Sequence, residues 1–120
     1  MINTQTVISN VQYGVPSGNY DGSSQDFLSD PVQAAGYYRG YGSIQTVNIT
    51  VTDFVGLIVV SASLNDKVDA AAYFTVDTFG DGSSVNTGTF PITVIGNFVW
   101  MRVEVIGFHQ GAINSITVTY

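Results

Sequence analysis

The side chains of this chain that are able to catalyse a reaction are few and scattered. The one histidine, His109, lies in "GFHQG", where the flanking glycines predict a turn between the last two strands. The nine acidic residues are spread singly over most of the 120 positions, and no serine or threonine has the context of a nucleophile elbow. A β-sandwich hydrolase would need two carboxylates about 5 to 10 Å apart across a groove, and it stays a minor alternative. The sequence therefore predicts no enzymatic activity and no cofactor.

The stretch "DTFGDGSS" has part of the spacing of a calcium-binding loop. Asp77, Asp81 and Gly82 match three of the loop positions, but Phe79 and Gly88 stand where an oxygen ligand and a bidentate glutamate are required. The Asp-Gly pair instead favours a hairpin turn with positive φ angles. "NYDGSSQD", residues 19–26, is a second oxygen-rich loop of the same kind. No metal site is predicted, and whether these loops hold calcium stays open.

The segment "GYYRGYG" places tyrosines around an arginine, between glycines that let a ligand approach closely. Tyrosine rings can stack on the apolar faces of sugars, while arginine pairs with sugar hydroxyls. Neighbouring residues in a strand point to opposite faces, so at least one of Tyr37 and Tyr38 should face outward. Tyr37, Tyr38, Arg39 and Tyr41 are therefore candidates for carbohydrate binding, with packing in the core as the alternative for each tyrosine.

The stretch "FVWMRVEVIGF" alternates between two different faces. Val99, Met101, Val103 and Val105 form an apolar face, and the opposite face carries Phe98, Trp100, Arg102, Glu104 and Ile106. The second face is too apolar for plain solvent exposure and too charged for the core of a monomer. Trp, Tyr and Arg dominate interface hot spots, so Trp100, Arg102 and Glu104, with Tyr73, are candidates for a partner interface. The alternative is an intrastrand Arg102–Glu104 neighbourhood with Trp100 lying over an open sheet edge.

The elements that must position these side chains are strands. Segments rich in Val, Ile, Thr, Phe and Tyr recur between Gly, Asn, Asp and Ser. They predict eight strands, near residues 4–9, 37–41, 44–52, 56–64, 71–78, 88–94, 98–106 and 114–120. The alternation of Val47, Ile49 and Val51 with polar residues predicts an antiparallel sheet packed on one side. The strand at 56–64 is apolar on both faces, which predicts a central position.

These strands predict a single all-β domain, residues 1–120. We expect a two-sheet antiparallel β-sandwich of jelly-roll or Greek-key type, with a small closed barrel as the competing fold. Residues 14–36 have little periodicity and predict a long loop that is functional or bound to a partner.

The composition narrows the classes of partner. Only 10% of residues are charged, against about 25% in an average domain, and the net charge of −6 weighs against nucleic acid and anionic membranes. No apolar run is long enough to cross a bilayer, and no cysteine is available for a disulfide. The first ten residues lack the features of a secretory signal, which predicts synthesis in a cytoplasm. A soluble chain with so few charges can coat itself with Thr, Ser, Asn and Gln or hide surface in an oligomer, and we expect both.

The C-terminal half resembles small virion structural proteins of tailed marine phages, in particular contractile-tailed cyanophages. The resemblance covers residues 54–120 and includes an apolar strand that ends in Ser-Leu. Its two further motifs comprise Gly96, Asn97, Phe98, Trp100 and Arg102, and then Gly111, Ile113, Ile116, Val118 and Tyr120. It implies a tail, fibre or capsid accessory protein, often a homotrimer, and supplies no catalytic residues.

We therefore expect a non-enzymatic virion protein that is made in the host cytoplasm and assembles with itself and with other virion proteins. The alternative function is a carbohydrate-binding module that recognises a cell-surface glycan.

Overall fold

The computed structural model describes residues 4–36, 44–64, 73–96 and 98–120. These residues form seven strands: β1 (Thr4–Gln12), β2 (Phe27–Leu28), β3 (Val32–Gln33), β4 (Ile44–Ser63), β5 (Phe74–Phe79), β6 (Asn86–Ile95) and β7 (Trp100–Thr119). All seven belong to one sheet, and every pairing is antiparallel. The all-β prediction is confirmed, although the strands share one sheet where the sequence predicted two.

The centre of the sheet is the pair β4 and β7, each 20 residues long. The three strands β1, β2 and β3 lie along the other side of β7. On the other side of β4, β6 pairs with its first half and β5 with its second half. The central position predicted for residues 56–64 is therefore confirmed. Each long strand joins two strands that the sequence predicted separately.

Both long strands bend near their middle. The register of β4 against β7 shifts at three places between residues 50 and 57, and Asp53 and Gly56 have positive φ angles of 50° and 153°. Gly107 and Gly111 of β7 have φ angles of 66° and 84°. Extra residues in one strand produce bulges, which bend the strand and keep the ladder continuous beyond them. The glycines of "GFHQG" thus form a bulged bend, and the prediction of a turn at His109 is wrong because β7 continues through it.

The bend changes which residues of β4 point inward. Before the bend the buried side chains are Val47, Ile49 and Val51, as predicted, and after it they are Ile58, Val60 and Ala62. Side chains from both halves of β4 and β7 join one hydrophobic core. The bulges therefore allow one continuous sheet to enclose a single core.

Phe108 lies in this core at the bend and is fully buried. The ring centroids of Tyr13, Tyr20 and Phe54 are 5.7, 5.3 and 5.6 Å from its own. Aromatic pairs at these separations add to the stabilisation that burial alone gives. The aromatic cluster therefore holds the first turn of the chain against the bent part of the sheet.

The connection at residues 80–85 joins β5 to β6 through a turn in which Gly82 has the predicted positive φ, 84°, but the prediction that the turn closes a hairpin is wrong. A hairpin needs its two strands to pair with each other, whereas β5 and β6 pair with different halves of β4. The two strands do meet through side chains, since the rings of Phe79 and Phe90 are 4.8 Å apart. The segment thus crosses from one half of the sheet to the other.

Residues 14–36 are more ordered than a loop without periodicity suggests. They contain β2 and β3, and Tyr20 is 1% exposed with its hydroxyl accepting the amide of Gly14 at 2.9 Å. The amide of Ser29 donates to the carbonyl of Val103, and the amide of Val103 donates to the Ser29 hydroxyl. This segment is therefore attached to β7 through backbone pairing.

The outward face of the sheet is rich in hydroxyl groups where β1, β6 and the end of β7 lie beside the first half of β4. Thr4, Thr119, Thr46 and Thr93 form one row across four strands. We call this surface, with Asn48 at its centre, the hydroxyl face. Its polar side chains confirm the prediction that this part of the sheet packs on one side only.

Candidate interface on the Trp100 face

The outward side chains of β7 before the bend form the Trp100 face, which we define as Trp100, Arg102, Glu104 and Ile106. All four are half-buried, whereas Met101, Val103 and Val105 between them are at most 1% exposed. The alternation predicted for this stretch is confirmed from Trp100 to Ile106, whereas Phe98, predicted on the outward face, packs against the core. The Trp100 face thus lies on the side of the sheet away from the core.

The neighbouring strands extend this face in both directions. On β4, Leu57 is paired with Ile106, and Val59 with Glu104. On β2, Leu28 is paired with Glu104 and is 42% exposed. The face therefore combines apolar side chains with an acid and a base, unlike the hydroxyl face.

Arg102 and Tyr73, which the sequence proposed for one interface, lie in contact. The guanidinium carbon of Arg102 is 4.1 Å from the centroid of the Tyr73 ring, within the range of a cation–π interaction. The Nε of Arg102 and the hydroxyl of Tyr73 are both buried without a hydrogen-bond partner. Burial raises the pKa of the Tyr73 hydroxyl, and the positive charge of Arg102 partly opposes that rise. The two polar groups thus lack the hydrogen bonds that buried groups normally make.

Glu104 does not neutralise Arg102 within the chain. The two side chains lie on one face two residues apart, and among the described residues no ion pair joins them. Arg102 and Glu104 are therefore neighbours on one face of β7, as the intrastrand alternative expected, and the choice between that alternative and an interface stays a prediction.

The other predicted residues are placed elsewhere or are not described. Tyr37, Tyr38, Arg39 and Tyr41 lie outside the described residues, so carbohydrate binding there stays a prediction. His109 is exposed at the bend, and its Nδ1 donates to the carbonyl of Gly107 at 2.8 Å.

The oxygen-rich loops contain the same tetrapeptide, "DGSS", at residues 21–24 and 81–84, and they fold in the same way. The Asp81 carboxylate accepts the amides of Ser83 and Ser84 at 2.9 and 2.7 Å and the Ser84 hydroxyl at 2.8 Å. Asp21 makes the equivalent hydrogen bonds at 2.9, 2.7 and 2.8 Å. The two backbone amides, helped by the hydroxyl, lower the pKa of each carboxyl to about 2.

These carboxylates therefore stabilise tight turns by accepting local hydrogen bonds. Across residues 4–36, 44–64, 73–96 and 98–120, no three His, Asp or Glu side chains lie close enough to hold a metal ion. The repeated tetrapeptide is the sequence signal from which the shared turn could have been predicted.

One group of polar residues could not be found from the sequence. The bend brings together residues of β1, β4 and β7 around a pocket of about 330 Å³, which we call the bend pocket. The side chains that define it are Gln12, Tyr13, Thr52, Asp53, His109 and Gln110. These residues are up to 98 positions apart (110 − 12), so no local motif contains them.

Comparison of the chain with protein-family models, with curated proteins and with solved structures found no significant match. Within the described segments, no helix has both the length and the apolar character needed to span a membrane. Function must therefore be inferred from the geometry of the chain's own residues.

Proposed function

We propose that this chain is a non-enzymatic structural module of a virion, which assembles with copies of itself through the Trp100 face. Its charged residues make up only 10% of the chain, well below the average of about 25%. The resemblance of residues 54–120 to cyanophage virion proteins suggests that the chain belongs to a virion. It also suggests that the chain forms a homotrimer and contacts other virion proteins. Symmetric assembly would cover a face that a monomer leaves open.

The observation that carries this proposal is the Nε of Arg102, which is buried without a hydrogen-bond partner. Leaving a buried polar group without a partner costs about 1 to 3 kcal/mol, and Arg102 has its Nε in that state on an outward face. A second copy placed against the face would bring its own Glu104 towards Arg102. Symmetry repeats such a pair at each interface, so one residue of each charge is enough for a self-complementary surface.

We further propose that the bent sheet forms a two-layer sandwich of jelly-roll or Greek-key type. Support comes from the bulges near the middle of β4 and β7, from the single core shared by both halves, and from the contact of Phe79 with Phe90. In such a sandwich the Trp100 face would lie on the outside of one layer and the hydroxyl face on the outside of the other.

The test measures the solution mass of the chain by light scattering after size exclusion. We expect the wild type to be an oligomer and Glu104→Arg to be a monomer, because each interface would then bring two arginines together. The double variant Arg102→Glu/Glu104→Arg should recover the oligomer, since it exchanges the two charges and restores every pair. Trp100→Ala should weaken assembly while circular dichroism shows an intact fold.

A matched control places the same charge on the other face. Asn48→Arg adds an arginine to the exposed centre of the hydroxyl face and should leave the oligomer unchanged. A monomeric wild type would refute self-assembly. An oligomer that survives both Glu104→Arg and Trp100→Ala would show that a different surface is used.

A further inference from the structure

The bend pocket has the composition of a site for a neutral sugar. Its six defining side chains offer a carboxylate, two amides, a hydroxyl, an imidazole and a phenol ring. None of its described lining residues is Lys or Arg, so the pocket has no fixed positive charge for an anionic ligand. Its volume of about 330 Å³ falls in the range of small-molecule sites, about 300 to 1,000 Å³.

Tyr13 supplies an aromatic surface that is already fixed in place. Its ring is 44% exposed and meets Phe108 edge to face, with the ring planes at 82°. Its backbone amide donates to the carbonyl of Gly111 at 2.9 Å. Because both the ring and the backbone are held, little conformational entropy is lost when a ligand stacks on the exposed part of the ring.

Asp53 is held in a strained conformation beside this ring. It is a non-glycine residue with a φ of 50° at the bulge of β4, a conformation that costs about 1 to 3 kcal/mol and clusters at functional sites. Its amide donates to the Thr87 hydroxyl at 2.9 Å, and that hydroxyl donates to the Asp53 carboxylate at 3.3 Å. The carboxylate keeps further acceptor capacity for a ligand, since an ionised carboxylate accepts up to about four hydrogen bonds.

His109 completes the set as an acceptor. Its Nδ1 must carry the proton, because the group that it meets is the carbonyl of Gly107. In the neutral ring the Nε2 is then an acceptor. Gln12 and Gln110 supply both donors and acceptors, so the pocket can satisfy hydroxyl groups, each of which both donates and accepts.

We propose that the bend pocket binds a neutral pyranose unit. The sugar ring stacks on Tyr13, and its hydroxyl groups form hydrogen bonds with Asp53, His109 and Gln110. This site shares no residue with the Trp100 face and goes beyond the proposed self-assembly. None of its described lining residues belongs to the tyrosine segment at residues 37–41. An exposed site with one aromatic platform should bind a single sugar with a Kd in the millimolar range.

The test is a titration of ¹⁵N-labelled protein with the methyl glycosides of glucose, galactose and mannose, followed by amide chemical shifts. With at least one glycoside, we expect shifts concentrated at residues 12–13, 52–53 and 109–112. Tyr13→Ala and Gln110→Ala should each raise the Kd at least tenfold, while Tyr13→Phe should preserve binding. Gln25→Ala, an exposed glutamine outside the pocket, is the matched control and should leave the Kd unchanged.

Tyr13→Ala and Gln110→Ala are compared so that a loss of binding is not mistaken for a loss of folding. Tyr13→Ala removes a ring from the Phe108 cluster, whereas Gln110→Ala changes only an exposed side chain, so a loss of binding in both assigns the site. The absence of localised shifts with all three glycosides would overturn the proposal. Binding of sialic acid in their place would overturn the neutral sugar class. Neither result depends on whether the chain forms an oligomer.

Discussion

The bend of the two long strands depends on Gly111, and its replacement by alanine should destabilise the protein strongly. Gly111 has a φ of 84°, where an alanine costs about 1 to 2 kcal/mol more than glycine. An added Cβ would also lie 2.5 Å from the carbonyl oxygen of Thr52, and closer still to that of Asp53. Real Cβ contacts are not so short, and the atoms in the way belong to the backbone of β4.

The clash cannot be relieved by a side-chain rotation, so β4 and β7 would have to move apart at the bulge. Overpacking of this kind costs about 1 to 3 kcal/mol. The sum for Gly111→Ala is then about 2 to 5 kcal/mol, a large part of the roughly 5 to 15 kcal/mol that stabilises a small domain. Equilibrium unfolding in urea, followed by circular dichroism, measures this difference directly.

Gly107 offers a matched control in the same strand. It also has a positive φ, 66°, but nothing lies within 4 Å of an added Cβ. Gly107→Ala should therefore lower the free energy of unfolding only by the cost of a positive φ in alanine, about 1 to 2 kcal/mol. If Gly111→Ala destabilises the protein no more than Gly107→Ala, the close approach of β4 and β7 at the bend is not a determinant of stability.

Two further perturbations test the core and the acidic turns. Phe108→Ala should lower the free energy of unfolding by about 3 to 5 kcal/mol, because it empties the centre of the aromatic cluster. Phe74 is 43% exposed, so Phe74→Ala should lower it clearly less. Equal losses of unfolding free energy in urea would contradict the central role of Phe108. The pKa values of Asp21 and Asp81 are lowered from 3.8 to about 2, so their stabilising contribution should be complete above pH 3.8 and lost as the pH falls towards 2. In the double variant Asp21→Asn/Asp81→Asn, the melting temperature should fall less steeply over that interval, and an unchanged slope would count against the turn hydrogen bonds.

The placement of the core residues was predictable where alternation is regular. Val47, Ile49 and Val51 point inward as their period-two pattern requires, and so do Met101, Val103 and Val105. Their spacing in a strand leaves no other way to bury all of them on one side of the sheet. The opposite, half-buried Trp100 face followed from the same reasoning.

The bend was not predictable, because it depends on contacts between residues far apart in the sequence. The glycines at 107 and 111 predict a break in a strand, and locally a turn and a bulge have similar composition. Pairing with β4 selects the bulge over the turn, because Asp53 and Gly56 of β4 form bulges opposite Gly107 and Gly111. Because the strands continue through the bend, four predicted strands are two long ones, β4 and β7. The bend also places His109 beside the bend pocket.

The sequence by itself therefore determined the all-β class, the alternation of the strands and the side chains that could not all be solvent-exposed. These properties depend on near neighbours, through the two-residue period and the chemistry of each side chain. Only the tertiary structure decided that one sheet carries every described strand, that Arg102 lies on the Tyr73 ring, and that Tyr13, Asp53 and His109 share a pocket. Those properties depend on contacts between residues that are 12 to 115 positions apart, from the pairing of Ala62 with Phe74 to that of Thr4 with Thr119. Backbone register and core packing select these contacts together.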